Sequence, residues 1–123
     1  MAKIKTFEAA CEALGVNPKA LPDFSNVPPK HQAALIAHFK LVIIAQALND
    51  GWEPDWNNNN EWKYFPWFDM EKSSSNKTGF RLDFAINYYS HSYAGSRLCF
   101  KSSELAEYAG KTFIKLYKEY FVI

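Results

Sequence analysis

Cysteine is scarce in this 123-residue chain, with Cys11 and Cys99 the only two. A small secreted domain that relies on disulfides carries more, so the sequence predicts two neutral, buried thiols in a reducing compartment. Neither sign of charge is in excess. Fourteen Lys and Arg stand against thirteen Asp and Glu, a net charge of +1. That leaves no long-range field to capture nucleic acid or an anionic membrane, so only a local basic patch could do so. The opening MAKIKTFEAACEALG holds no apolar leader core and no cleavage signal. The most apolar stretch, residues 33–48, is interrupted by His38, Lys40 and Gln46. It also falls short of the ~20 residues that a spanning helix needs. Glycine-rich phosphate loops, nucleophile elbows and HExxH zinc motifs are missing too. Together these absences predict a cytoplasmic, non-catalytic protein with no membrane contact, no cofactor and no metal.

What is present is enough for a core. The chain is 48% apolar and 17% aromatic, far from the composition of a disordered segment. Its length predicts a single domain, residues 1–123. Thr6 is placed to cap a short helix whose Phe7, Ala10, Cys11 and Leu14 share one face, and Gly15 supplies a left-handed stop. Pro18, Pro22, Pro28 and Pro29 make the next stretch an extended connector. A long helix is predicted from Pro28-Pro29 to Gly51, apolar almost all round in its LVIIAQAL half, and so the central helix of the domain.

The asparagine run in GWEPDWNNNNE predicts a loop, because these side chains bond their own backbone. Strand-forming WKYFPWFDMEK follows, with Pro66 requiring an edge or a bulge. In GFRLDFAINYY the even-numbered Phe80, Leu82, Phe84, Ile86 and Tyr88 alternate with odd-numbered residues, as in a half-buried strand. RLCFK extends the pattern, with Leu98 and Phe100 inward and Arg97, Cys99 and Lys101 outward. Ser102 or Ser103 caps a final helix with Leu105, Ala109, Thr112, Phe113, Leu116 and Tyr120 facing in. Gly110, in mid-helix, marks a close neighbour, expected to be the central helix. The predicted fold is α+β in the order α-α-β-β-β-α. A three-stranded antiparallel sheet packs one face on the long central helix and the C-terminal helix.

Two segments carry a likeness. GSRLCFKSSELAEYAGKTFIKLYKEYF (residues 95–121) and ALNDGWEPDWNNNNEWKYFPWF (residues 47–68) resemble uncharacterised small proteins of phages and prophages of gut bacteria, and the likeness extends weakly to TFEAACEALGV. The resemblance implies a phage or mobile-element origin, and hence a bacterial host cell or association with a virion. It brings no activity, ligand or binding residue with it.

The outward face of the predicted sheet is the main candidate surface: Lys63, Phe65, Trp67, Arg81, Tyr89, Arg97 and Lys101. Aromatic rings beside cations are the usual anchors of a protein interface, here with an unknown partner or a second copy of the chain. They also suit single-stranded nucleic acid, whose bases stack on rings while Lys and Arg hold phosphate. Asp69, Glu71 and Asp83 on the same face oppose phosphate. The alternation predicts Met70 opposite Leu82, which sets Glu71 against Arg81 and Asp69 against Asp83. Two adjacent carboxylates invite a cation, a shared proton or a base, with Arg97 or Lys101 at hand to neutralise them. His31, His38 and His91 lack metal-site spacing. The four tryptophans around the asparagines read as loop anchors before they read as a sugar site.

Overall fold

A computed structural model describes residues 4–123. Helix α1 (Phe7–Leu14) begins where the Thr6 hydroxyl accepts from the Ala9 N–H at 3.0 Å, and ends at Gly15 with φ +69°. Helix α2 (Pro29–Asn49) opens on a proline whose missing N–H is not needed there, and closes through Asp50 and Gly51, both at positive φ. By length and composition α2 could cross a membrane. In this fold its Ala37, Leu41, Ile44, Ala45 and Leu48 are buried in the core instead, packed with α1 and the C-terminal segment.

The sheet has two strands, β1 (Lys63–Asp69) and β2 (Arg81–Tyr88), paired antiparallel. The expected three-stranded sheet is therefore corrected. RLCFK does not form a strand: Ser96–Leu98 make one 3₁₀ turn, and only Phe100 pairs with β1, exchanging both backbone bonds with Tyr64. Leu98, Cys99 and Phe100 are all buried, so the inward–outward alternation read from this segment fails at Cys99. A turn on one side and the Ser102 helix cap on the other leave too little chain for a ladder.

Asn49 supplies what the missing strand would have. The buried side chain of this last α2 residue donates its Nδ2–H to the Cys99 carbonyl at 2.8 Å. Its Oδ1 accepts from the Lys101 N–H at 3.1 Å. The peptide groups flanking Phe100 on its far edge are thus satisfied by one amide rather than by backbone.

The final helix is two helices. After α3 (Ser103–Thr112), capped by the Ser102 hydroxyl on the Leu105 N–H, the chain bends at Phe113 and continues as α4 (Ile114–Phe121). The element order is thus α-α-β-β-α-α, with the 3₁₀ turn between β2 and α3. Helix α3 covers one face of the sheet, while α4 turns away to lie along α2. The neighbour that Gly110 admits is the sheet, not the central helix. A Cβ there would stand 2.9 Å from Pro66 Cβ and 2.8 Å from Leu82 Cδ1.

A bulge decides which residues face α3. Trp67 pairs with Phe84 but Phe68 pairs with Leu82, so Asp83 is the extra residue. The even-numbered residues of β2 consequently divide. Leu82 lies beneath α3, whereas Phe84, Ile86 and Tyr88 share the opposite face with Trp67, Phe65 and Lys63. Pro66 projects to the same edge of β1 as Tyr64, away from β2, where its lack of an N–H costs no ladder bond.

Replacing Asn49 with Ala leaves a buried carbonyl and a part-buried N–H without partners. The expected loss is about 3 kcal/mol of unfolding free energy, measured by urea denaturation. A loss below about 0.5 kcal/mol would show that the amide does not hold the Phe100 segment.

Candidate functional site

Of the seven residues of the expected surface, Lys63, Phe65, Trp67 and Arg81 share the outer face of the sheet, and the first two are buried. Lys63 and Phe65 are 1% and 5% exposed. The Lys63 ammonium turns into the asparagine loop, donating to the Asp55 carbonyl at 2.6 Å and the Asn58 carbonyl at 3.1 Å. It also stands 3.5 Å from the Glu61 carboxylate and 5.2 Å from the centre of the Trp56 ring. An ammonium satisfied in this way pins a loop and holds no external anion. The loop's tryptophans act as anchors: Trp56 donates to the Ser96 hydroxyl, and Trp62 packs edge-on against Tyr89.

Phe65 stacks on Tyr88, with ring centres 5.5 Å apart. Arg97 and Lys101 lie in the 3₁₀ turn and beyond the Phe100 bridge, off the sheet. Trp67 and Arg81 do share the outer face of the sheet. Arg81 is occupied, however, bonding Asp83 at 3.0 Å and standing 3.7 Å from Asp69. Asp69 does not face Asp83: the register on the hairpin-loop side of the bulge sets Asp69 opposite Arg81 and leaves Glu71 beyond the ladder. The neutralising cation is Arg81, not Arg97 or Lys101. Among the described residues no cluster of three or more His, Cys, Asp and Glu could hold a metal ion.

Two surfaces take the place of the expected one. The first is the outer face of the sheet. Trp67 and Phe84 form a cross-strand pair, 38% and 49% exposed, continued by half-buried Ile86 and Tyr88. Tyr93, 77% exposed, extends the apolar surface, its ring 6.3 Å from Trp67 and 5.6 Å from Tyr88. Parity reading missed this face because it took Phe84, Ile86 and Tyr88 to point inward.

The second is a cleft of about 530 Å³ at the open edge of β1. Pro66, Trp67 and Phe68 border it, with Tyr93, Ala94 and Leu98 from the segment after β2, and Tyr117, Tyr120 and Phe121 from α4. His38 of α2, also in the wall, stacks on Tyr120 at 4.7 Å. Tyr117 of the wall is 3% exposed, its ring 5.0 Å from that of Phe68. Burial raises its pKa, so the phenol keeps its proton. The bend at Phe113 makes the cleft, since it carries α4 away from the sheet. Sequence reading could not place it, because it ran α3 and α4 together.

Neither thiol is activated. Burial pushes Cys99 up to about 11, outweighing its backbone hydrogen bond and the nearby Lys63 ammonium. Cys11 is also raised, by burial and by Glu8.

Compared with known proteins, the chain matches no protein family, no curated protein and no solved structure.

Ellman's reagent at pH 8 should leave both thiols of the native protein untouched and titrate two after unfolding. A native thiol that reacts within seconds would contradict this burial. The folded state holds the Cys99 proton to about 11 against 9.0 for the ordinary thiol. Between those values the unfolded chain binds fewer protons, so stability falls as pH rises through that window.

Proposed function

We propose that this chain is a non-catalytic interaction protein that works by self-association, two copies meeting through the outer faces of their sheets. The observation that carries this reading is the unequal treatment of the two faces. One lies under α3 so closely that a glycine is required, while the other, covered at its Lys63–Phe65 end, leaves Trp67 and Phe84 exposed with Tyr93 beside them. From their fractional exposure these three side chains present on the order of 300 Å² of surface, the size at which an apolar patch on a monomer is often functional.

A second copy suits this face better than an unrelated partner. A sheet face with apolar residues along its midline is self-complementary about a two-fold axis, as an isologous interface requires. Two such faces stack about 10 Å apart, their side chains interdigitating. A standard interface buries about 800 Å² on each side. The aromatic patch would form its centre, with Arg81, Asp83 and Ser90 in its polar rim. The same face offers nucleic acid little, because Lys63 is turned into its loop and Arg81 is held by two carboxylates. Phage or mobile-element origin is part of the proposal and is supported by the likeness of residues 47–68 and 95–121 alone.

Light scattering after size exclusion should give twice the chain mass for the wild type at tens of micromolar. Phe84→Glu should give a folded monomer with an unchanged circular-dichroism spectrum. A wild type that stays monomeric at several hundred micromolar overturns the reading. A monomer that binds single-stranded oligonucleotide at low salt and releases it at high salt would overturn it in favour of nucleic acid.

A further inference from the structure

The cleft is distinct from the outer face, although Phe65, Trp67 and Tyr93 border both. Its volume of about 530 Å³ lies within the range of small-molecule sites, and its walls are mostly ring systems. Seven of the twelve lining residues are Phe, Tyr or Trp, and His38 adds another ring. A site for a flexible acyl chain would be lined mainly by Leu, Ile, Val and Met. Here Leu98 and Met70 are the only residues of that kind. Rings are matched by rings, through offset stacking and edge contacts.

Tyr117 adds a polar requirement. It is almost wholly buried, yet its pKa is raised by burial alone, with no hydrogen bond contributing. Its hydroxyl makes no hydrogen bond to a described residue. No side-chain oxygen sealed from solvent lacks a partner among the described residues, so this hydroxyl must meet accessible space. The space that Tyr117 lines is the cleft. A phenol is a donor, and this one has no acceptor among the described residues.

We propose that the cleft binds a planar aromatic small molecule carrying one hydrogen-bond acceptor, its rings between the β1 edge and α4 and its acceptor on the Tyr117 hydroxyl. The acceptor sets orientation and selectivity, while the aromatic walls supply most of the affinity. A carbonyl or an unprotonated ring nitrogen is the right acceptor, because the donor is a neutral phenol. An anionic group is disfavoured, because no Lys or Arg lines the wall.

The test compares two probes of nearly equal shape, 2-acetonaphthone and 2-isopropenylnaphthalene, which differ in C=O against C=CH₂. Binding is followed by chemical-shift titration of the full chain. The wild type should bind the ketone about fivefold more tightly than the alkene, the worth of one net hydrogen bond. Tyr117→Phe should bind both equally and keep the alkene affinity of the wild type, which shows the fold intact. Shifts should centre on Phe68, Ala94 and Tyr120. Equal affinities in the wild type, or a preference that survives in Tyr117→Phe, overturn the assigned role of the hydroxyl. No binding of either probe, or shifts away from the cleft, overturn the site itself. None of these outcomes bears on self-association, which is read by mass.

Discussion

Two hydrogen bonds from one amide tie the helical layer of this protein to its sheet. Asn49, at the end of α2, satisfies the Cys99 carbonyl and the Lys101 N–H. Phe100, between them, is bonded on its other side to Tyr64 of β1. The central helix therefore reaches the sheet through a side chain rather than by packing along it. With a two-stranded sheet, which is marginal in isolation, such a tether matters. It fixes where α3 begins, since Ser102 caps that helix one residue after Lys101. It thereby fixes where α3 meets the sheet.

A second constraint acts on the sheet itself. Gly110 lets α3 approach Pro66 and Leu82 to a distance that no side chain would allow. The extra residue Asp83 places Leu82 on that side and Phe84 on the other. Without the bulge, Phe84 and Ile86 would share the α3 face with Leu82, and β2 would set Asp83, Ala85 and Asn87 beside Phe65 and Trp67 on the outer face. On the loop side of the bulge the hairpin register sets Arg81 opposite Asp69, so the expected pair of repelling carboxylates is a neutralised trio. One inserted residue thus sets Phe84 beside Trp67 and extends the apolar outer face across β2. Charge of this kind on a sheet rim contributes little stability but helps to set register.

Local chemistry was legible in the sequence wherever one residue decides the outcome. Thr6, Gly15, Pro29 and Ser102 end or begin helices as their side chains dictate, and Pro66 lies at a strand edge. The α+β class and the two strands 63–69 and 81–88 follow from alternation and β-branched or aromatic content. What the alternation could not carry was a change of parity. Nothing in RLDFAINY marks Asp83 as the extra residue, because a bulge arises from pairing with β1 and not from β2 alone. RLCFK alternates as a strand should, yet Cys99 is buried along with Leu98 and Phe100, and its far edge is met by an amide fifty residues away. The bend at Phe113 has no glycine or proline to signal it. It serves the packing of α4 on α2, a tertiary demand that overrides a helix-compatible sequence. For the candidate surface the same limit applied. Lys63 reads as an outward cation on its strand, and only the folded asparagine loop shows two carbonyls waiting for it.

Native-state hydrogen exchange at Lys101 tests the tether most directly. Its N–H belongs to no helix or strand ladder and is bonded only to the Asn49 side chain among the described residues. If that amide holds the two layers together, the Lys101 N–H will exchange only through global unfolding, with a protection free energy equal to that of the β1 ladder. Exchange at the rate of an open loop, while β1 remains protected, would contradict the account. The Phe100 segment would then be free to leave the sheet without unfolding the domain.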